Sequence, residues 1–131
     1  SELTSLNGLV LFGNSISDLS PLSELTALGY LDLNHNGISD LSPLGNLTAL
    51  TDLALEGNDI SDLSPLKGLS SLSDLRLSQN PITTLADLVA NPGIDSGDSV
   101  TLYLTAFDCT TEAANLALLE DRGVTLLHDC P

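Results

Sequence analysis

Leucine returns to the same places in this chain every 22 residues. Leu9, Leu31, Leu53 and Leu75 form one column, and Leu11, Leu33, Leu55 and Leu77 a second. Leu3, Leu25, Leu47 and Leu69 form a third, and Leu6, Leu28, Leu50 and Leu72 a fourth. Ile16, Ile38, Ile60 and Ile82 keep the same step, as do Asn14, Asn36, Asn58 and Asn80. A fixed period in this range marks a chain built from one small unit stacked repeatedly. Within a unit, "YLDLN" (30–34) alternates apolar and polar residues, the signature of a short half-buried strand. The remainder of the unit lacks a long helical period, and Pro21, Pro43 and Pro65 would interrupt one. A turn or short 3₁₀ segment is therefore expected on the return path. One unit alone cannot bury its leucines. Stacked units align every column into one core and add a parallel strand about 4.8 Å from the last.

The heptapeptide "ISDLSPL" occurs at 16–22, 38–44 and 60–66. Ile16, Leu19 and Leu22 are expected to face the core. Asp18 precedes the return segment and suits an N-cap, and Pro21 suits a first turn that needs no N–H. Asp18, Asp40 and Asp62 would also form a column of carboxylates. Ca²⁺ requires several oxygens together, and one carboxylate per coil is sparse. Capping accounts for the aspartates equally well, so no metal or other cofactor is expected. Asn at the sharp turn after each strand can bond the backbone of its own coil and of the next.

These residues resemble the leucine-rich repeat family, over residues 3 to about 104. The 22-residue length and the "NxISDLSPL" signature are most similar to the class found in bacterial internalins and in the phosphatase-regulatory leucine-rich proteins. The resemblance implies an α/β repeat fold: a curved solenoid with a parallel β-sheet on its concave face and a 3₁₀/turn convex face. It also implies that the Asn column is a structural ladder and that the concave face binds protein.

The period breaks after Leu88, which divides the chain into four regular repeats (1–88) and an irregular fifth coil with a C-terminal cap (89–131). "ANPGIDSGDS" (90–99) reads as a loop. "VTLYL" (100–104) alternates again, and Thr105 stands where the Asn column would continue. "TEAANLALLEDRG" (111–123) reads as a small helix stopped by Gly123, and "VTLLHDC" (124–130) as a last strand. Cys109 and Cys130 flank this cap. Two cysteines with no His pair do not make a zinc site, and C-x-x-C redox spacing is absent. A disulfide stapling the cap fits best and points to an oxidising, extracytoplasmic compartment, at a cell surface or secreted. Cysteine-stapled caps also resemble those of extracellular leucine-rich repeat proteins, and "NPG…GDSV" resembles the closing coil of bacterial ones. At the other end only Ser1 and Glu2 precede the first leucine, with no capping segment written. The first coil is expected to expose leucine edges and an unpaired strand, which makes a homodimer through that coil an expectation.

Composition narrows the function. Eighteen acidic residues against three basic ones give a net charge of -15. Lys67, Arg76 and Arg122 are too few to displace counterions from a phosphate backbone, so nucleic acid is not an expected partner. No apolar run approaches the ~18 residues of a membrane span. The charge would steer basic or mixed-charge protein surfaces. On the concave sheet the outward residues follow from alternation: Phe12; Tyr30, Asp32 and Asn34, with His35 at the rim; Asp52 and Glu56; Asp74 and Arg76, with Gln79 at the rim; and Tyr103. They vary from coil to coil while the scaffold columns do not, as a binding face on a fixed frame would. Tyr, Phe and Arg are the types that anchor interfaces. Arg76 beside Glu56 also offers a cross-strand pair. Acid–base catalysis needs a carboxyl group shifted by burial; an open sheet supplies little desolvation, so the expected function is non-catalytic protein binding. The alternative is a spacer or self-assembling segment of a larger bacterial surface protein.

Overall fold

The alternating stretches form the strands. In the structure, a computed structural model that describes residues 3–131, six short strands make one sheet in chain order. They are β1 (Gly8–Val10), β2 (Tyr30–Asp32), β3 (Asp52–Ala54), β4 (Asp74–Arg76), β5 (Ser99–Leu102) and β6 (Thr125–His128). Ser1 and Glu2, the two residues ahead of the first leucine, lie outside the described residues. Every neighbouring pair is parallel, and Leu9, Leu31, Leu53, Leu75, Val100 and Leu126 share one register line. The sheet therefore runs unbroken from the first regular coil into the cap.

The repeated columns form the core. Leu31, Leu33, Ile38, Leu50, Leu55 and Ile60 are all 0% exposed. Coil one is the exception: Leu6, Leu9, Leu11, Ile16 and Leu22 pack against the core but are only partly buried.

Each "SPL" turns as a 3₁₀ segment, at Ser20–Leu22, Ser42–Leu44 and Ser64–Gly68. Proline stands in the first turn, as its missing N–H allows. The aspartates act one residue further out than a formal N-cap, which is Leu19 in the first coil. Asp18, Asp40 and Asp62 each accept the backbone N–H two residues on, at 2.9 Å. These bonds, first to backbone N–H and then to the serine hydroxyl, hold all three carboxyls below the usual aspartate value. A carboxyl depressed in the folded state stabilises above its unfolded value, and that contribution is lost as pH falls through the folded one. The melting temperature of wild type minus that of the D18N/D40N/D62N variant should accordingly be constant at neutral pH. It should shrink on acidification below about pH 4, where protonated Asp and Asn become equivalent. A difference independent of pH would contradict this role.

Coil four departs from the pattern. It reads "ITTLADL" where the others read "ISDLSPL" and so lacks the proline. Its return path is one turn of α-helix, α1 (Ala86–Val89), preceded by the Thr84 hydroxyl accepting the Ala86 N–H at 3.2 Å. The loop that follows is tied inward by Asn91, fully buried, whose amide donates to Leu66 O and Leu69 O at 2.9 and 3.0 Å. A side chain at Gly93 would collide with the Ser70 backbone, so glycine is required there.

The cap holds α2 (Ala113–Asp121), shorter at both ends than the 111–123 read from the pattern. Gly123, at φ 90°, ends it. Cys109 and Cys130 are joined in a disulfide with Cα atoms 5.6 Å apart. Glu112, 5% exposed, accepts from Leu85 N at 2.8 Å, from the Asn115 amide at 2.8 Å and from the Thr84 hydroxyl at 3.4 Å. It bridges coil four to α2. Arg122 donates to the carbonyls of Val89 and Asn91, closing the same seam from the other side.

Candidate functional site

The outward side chains of the sheet lie in three rows across the strands. Row one carries Gly8, Tyr30, Asp52, Asp74 and Ser99, and row two Val10, Asp32, Ala54, Arg76 and Thr101, by direct strand register. Row three, just past the strands, carries Phe12, Asn34, Glu56, Ser78 and Tyr103, spaced as the repeat dictates.

The rows do not present all of these side chains equally. Phe12, Tyr30 and Tyr103 are 56%, 40% and 44% exposed, and Val10 is 62%. Asp32, Asp52, Glu56 and Asp74 are half-buried, and His35 and Arg76 are exposed. Asn34 is different: it is 8% exposed, and its Oδ1 accepts the Glu56 N–H at 2.7 Å. Ser78 does the same one coil pair later, accepting the Tyr103 N–H at 3.0 Å. Asn34 thus belongs to the frame and offers little to a partner. Alternation alone places it on the outer face; what it does there depends on the coil beside it.

Arg76 pairs within its own strand. Its Nη2 donates to Asp74 Oδ2 at 2.9 Å and its Nε to the same oxygen at 3.3 Å. The cross-strand partner expected from sequence, Glu56, contributes only at longer range. Residues two apart on one strand share a face, and the guanidinium reaches that carboxylate without crossing the ladder. The bond to Asp74 raises the Arg76 value, with the attraction of its charge next. Two charges of the face therefore cancel each other. Asp52 and Glu56 accept no side-chain hydrogen bond or ion pair among the described residues. The unbalanced negative charge of the face is centred on them and on Asp32, whose Oδ1 accepts the Asn34 N–H at 3.0 Å.

At the N-terminal end, Phe12 and His35 meet edge to face, ring centroids 5.3 Å apart. His35 has φ 56°, in the left-handed region, as do Gln79 (59°) and Leu104 (54°) at the same place in later coils. Leu104 was not among the residues singled out from sequence. The signal for it was the 22-residue column of turn residues, masked by the longer fifth coil.

The face is a surface and not a pocket. The hollow between Tyr30, Asp52, Ala54, Asp74 and Arg76 measures about 10 Å³. A larger one, about 440 Å³, lies in the cap between α2, β6 and the disulfide, away from these rows. Among the described residues no group of three or more His, Cys, Asp or Glu is placed to hold a metal ion. No described helix is long and apolar enough to cross a membrane.

The repeat geometry and the comparisons agree: this chain belongs to the leucine-rich repeat family. The model for leucine rich repeats (2 copies) matches residues 4–46 and 30–68. The solved structures it resembles include internalins. Internalin C2 of Listeria monocytogenes is 33% identical with a TM-score of 0.81, over 95% of this chain and 53% of that one. A second internalin of the same species is 27% identical with a TM-score of 0.75, over 98% of this chain and 44% of that one. A leucine-rich repeat protein of Leptospira interrogans shares the fold at 22% identity and a TM-score of 0.76, over 98% of this chain and 38% of that one. The chain thus spans about half the length, or less, of these structures. No curated protein matches it by sequence.

Proposed function

We propose that this chain is a non-catalytic protein-binding module that uses its acidic concave face, acting outside the bacterial cytoplasm. The observation that carries the reading is the contrast on the sheet. Core columns are near-invariant and, past coil one, buried, while the outward rows vary between coils and leave Phe12, Tyr30 and Tyr103 exposed on a face that also carries unpaired carboxylates. Leucine-rich repeat modules typically serve protein–protein interaction. Exposed aromatics on a rigid sheet are the groups that carry interface energy. The net charge of -15 favours partners with a basic or mixed-charge surface. A shallow face with no enclosed volume does not desolvate a carboxyl group, which weighs against catalysis. The disulfide supports an oxidising location, at the cell surface or secreted.

Tyr30→Ala and Asp52→Ala should each weaken binding of a partner captured from surface extract by tenfold or more, measured by titration calorimetry, without lowering the melting temperature. Unchanged affinity in both would remove the concave face as the site.

Coil one favours a second reading, self-association. The columns that are 0% exposed at Leu28, Leu31, Leu33 and Ile38 are partly open at Leu6, Leu9, Leu11 and Ile16. A hollow of about 210 Å³ lined by Leu11, Ile16, Leu19 and Leu22 opens on that side. Light scattering on a concentration series should show mass rising towards a dimer, and Leu11→Asp should abolish the rise. A monomer throughout would eliminate this reading.

A further inference from the structure

Five consecutive coils turn at the same point through the left-handed region, at Gly13 (φ 69°), His35 (56°), Gly57 (67°), Gln79 (59°) and Leu104 (54°). In that region an L side chain crowds the following carbonyl, and glycine does not. Two coils use glycine there, so the turn accepts it. Three carry a side chain against the conformational preference. The backbone bonding of the first four turns gives no reason for the difference, and at the fifth the Leu104 N–H donates to the Asp129 carboxylate, at 3.0 and 3.3 Å. The N–H groups of Gly13, His35, Gly57 and Gln79 all donate to the carbonyl of the next coil, at 2.7 to 3.0 Å.

Nor do the side chains of Gln79 and Leu104 repay the strain within the chain. Leu104 is 67% exposed. The Gln79 amide makes no side-chain hydrogen bond among the described residues. His35 alone packs, edge to Phe12 and across Gly57, where a Cβ would collide with its imidazole. Glycine at position 57 therefore serves the turn and also clears the space for His35. Gln79 and Leu104, strained with no internal purpose, point to a purpose outside.

The three side chains stand in one row along the rim of the concave sheet, beyond Phe12, Glu56 and Tyr103. Coils repeat at about 4.8 Å, so His35 to Leu104 spans roughly 14 Å, which an extended chain covers in about four residues. The near end is aromatic, with Phe12 and His35. The middle borders Glu56, whose carboxylate is unpaired. The far end is apolar, with Tyr103 and Leu104 both exposed.

We propose that this rim row is the specificity-determining edge of the concave site. It takes an extended segment of a partner protein running across the coils. A basic side chain of that segment lies over Glu56 and an apolar one against Tyr103 and Leu104. The proposal rests on the reading of the concave face as the partner site, and its occupant is argued from the charge and apolar complementarity of the row.

The test has two arms on the full chain. In thermal melts, Gln79→Gly and Leu104→Gly should unfold at or above the wild-type temperature. A fall of more than about 3 °C would make the side chains structural and overturn the proposal. In the second arm, a random heptapeptide library displayed on phage is selected on the native chain, and the binders are retested on Q79G/L104G and on Y30A/D52A. The expected binders carry a basic residue followed by an apolar one and lose at least tenfold affinity on Q79G/L104G. Binding kept on Q79G/L104G but lost on Y30A/D52A moves the site to the sheet floor and overturns the rim row alone. Binding kept on both variants, or no binder at all, overturns the concave reading with it.

Discussion

Asn58→Ala should destabilise this protein by about 2 kcal/mol and lower its melting temperature by more than about 5 °C. Asn58 is 6% exposed and sits between coils two and three. Its Nδ2 donates to Leu33 O and Leu55 O, both at 3.0 Å, and to Glu56 O at 3.3 Å. Its Oδ1 accepts the Ile38 N–H at 3.1 Å. Alanine leaves the Ile38 N–H buried without a partner, whereas Leu33 O, Leu55 O and Glu56 O keep the Asn36 amide, the Asn80 amide and the His35 N–H. That orphaned group costs about 1–3 kcal/mol. Asn14 is the internal control. It occupies the same column in coil one, is exposed, and bonds only its own coil, to Leu11 O at 2.9 Å and Phe12 O at 3.3 Å. Asn14→Ala should cost under about 1 kcal/mol. Equal effects at the two sites, by urea titration, would refute the ladder.

Loss of the disulfide is the second large effect. The bond closes a loop with a sequence separation of 21, so its removal should cost about 3 kcal/mol by the chain-entropy account. The cost should be local. Cys109 lies ahead of α2 and Cys130 follows β6, so the bond ties the two ends of the cap together. In a stacked array each coil contacts only its neighbours, so loosening one end propagates weakly. Cys109→Ser with Cys130→Ser should speed amide exchange in α2 and β6 while β2 to β4 stay protected. The native protein should titrate no free thiol. Two reactive thiols, or uniform loss of protection along the sheet, would contradict this account.

What could be read from the sequence was whatever repeats. A column of Leu or Ile at one step declares both its burial and its neighbours, because the same contact is written four times. Leu31, Asn58 and the "SPL" turns were legible for that reason. The cap disulfide was legible because the chain holds only two cysteines. Contacts that occur once were not. Glu112 binds Leu85 across 27 residues and Arg122 binds Val89 across 33; neither separation is a multiple of the repeat. The outer rows were half legible. Alternation placed Asn34 and Glu56 alike, yet one is locked to the next coil and the other is open, a difference set by side-chain reach. The partner of Arg76 is likewise a choice between two nearby carboxylates that residue order does not decide. The strain at Gln79 and Leu104 was written only in their column with Gly13 and Gly57, because neither residue type by itself announces a left-handed turn.

Each Asn of the ladder past coil one spends its bonds on both sides of a boundary: Asn80 on Leu55 O behind and Leu77 O at home, Asn36 on Leu11 O and Leu33 O. It is a property of a junction and not of a coil. Any two regular coils can therefore be joined by the same junction, provided whole 22-residue turns are removed or added. Such a chain changes length the way a ruler does, in fixed divisions of about 4.8 Å. The reach of its concave face can thus be reset during descent without redesigning either end.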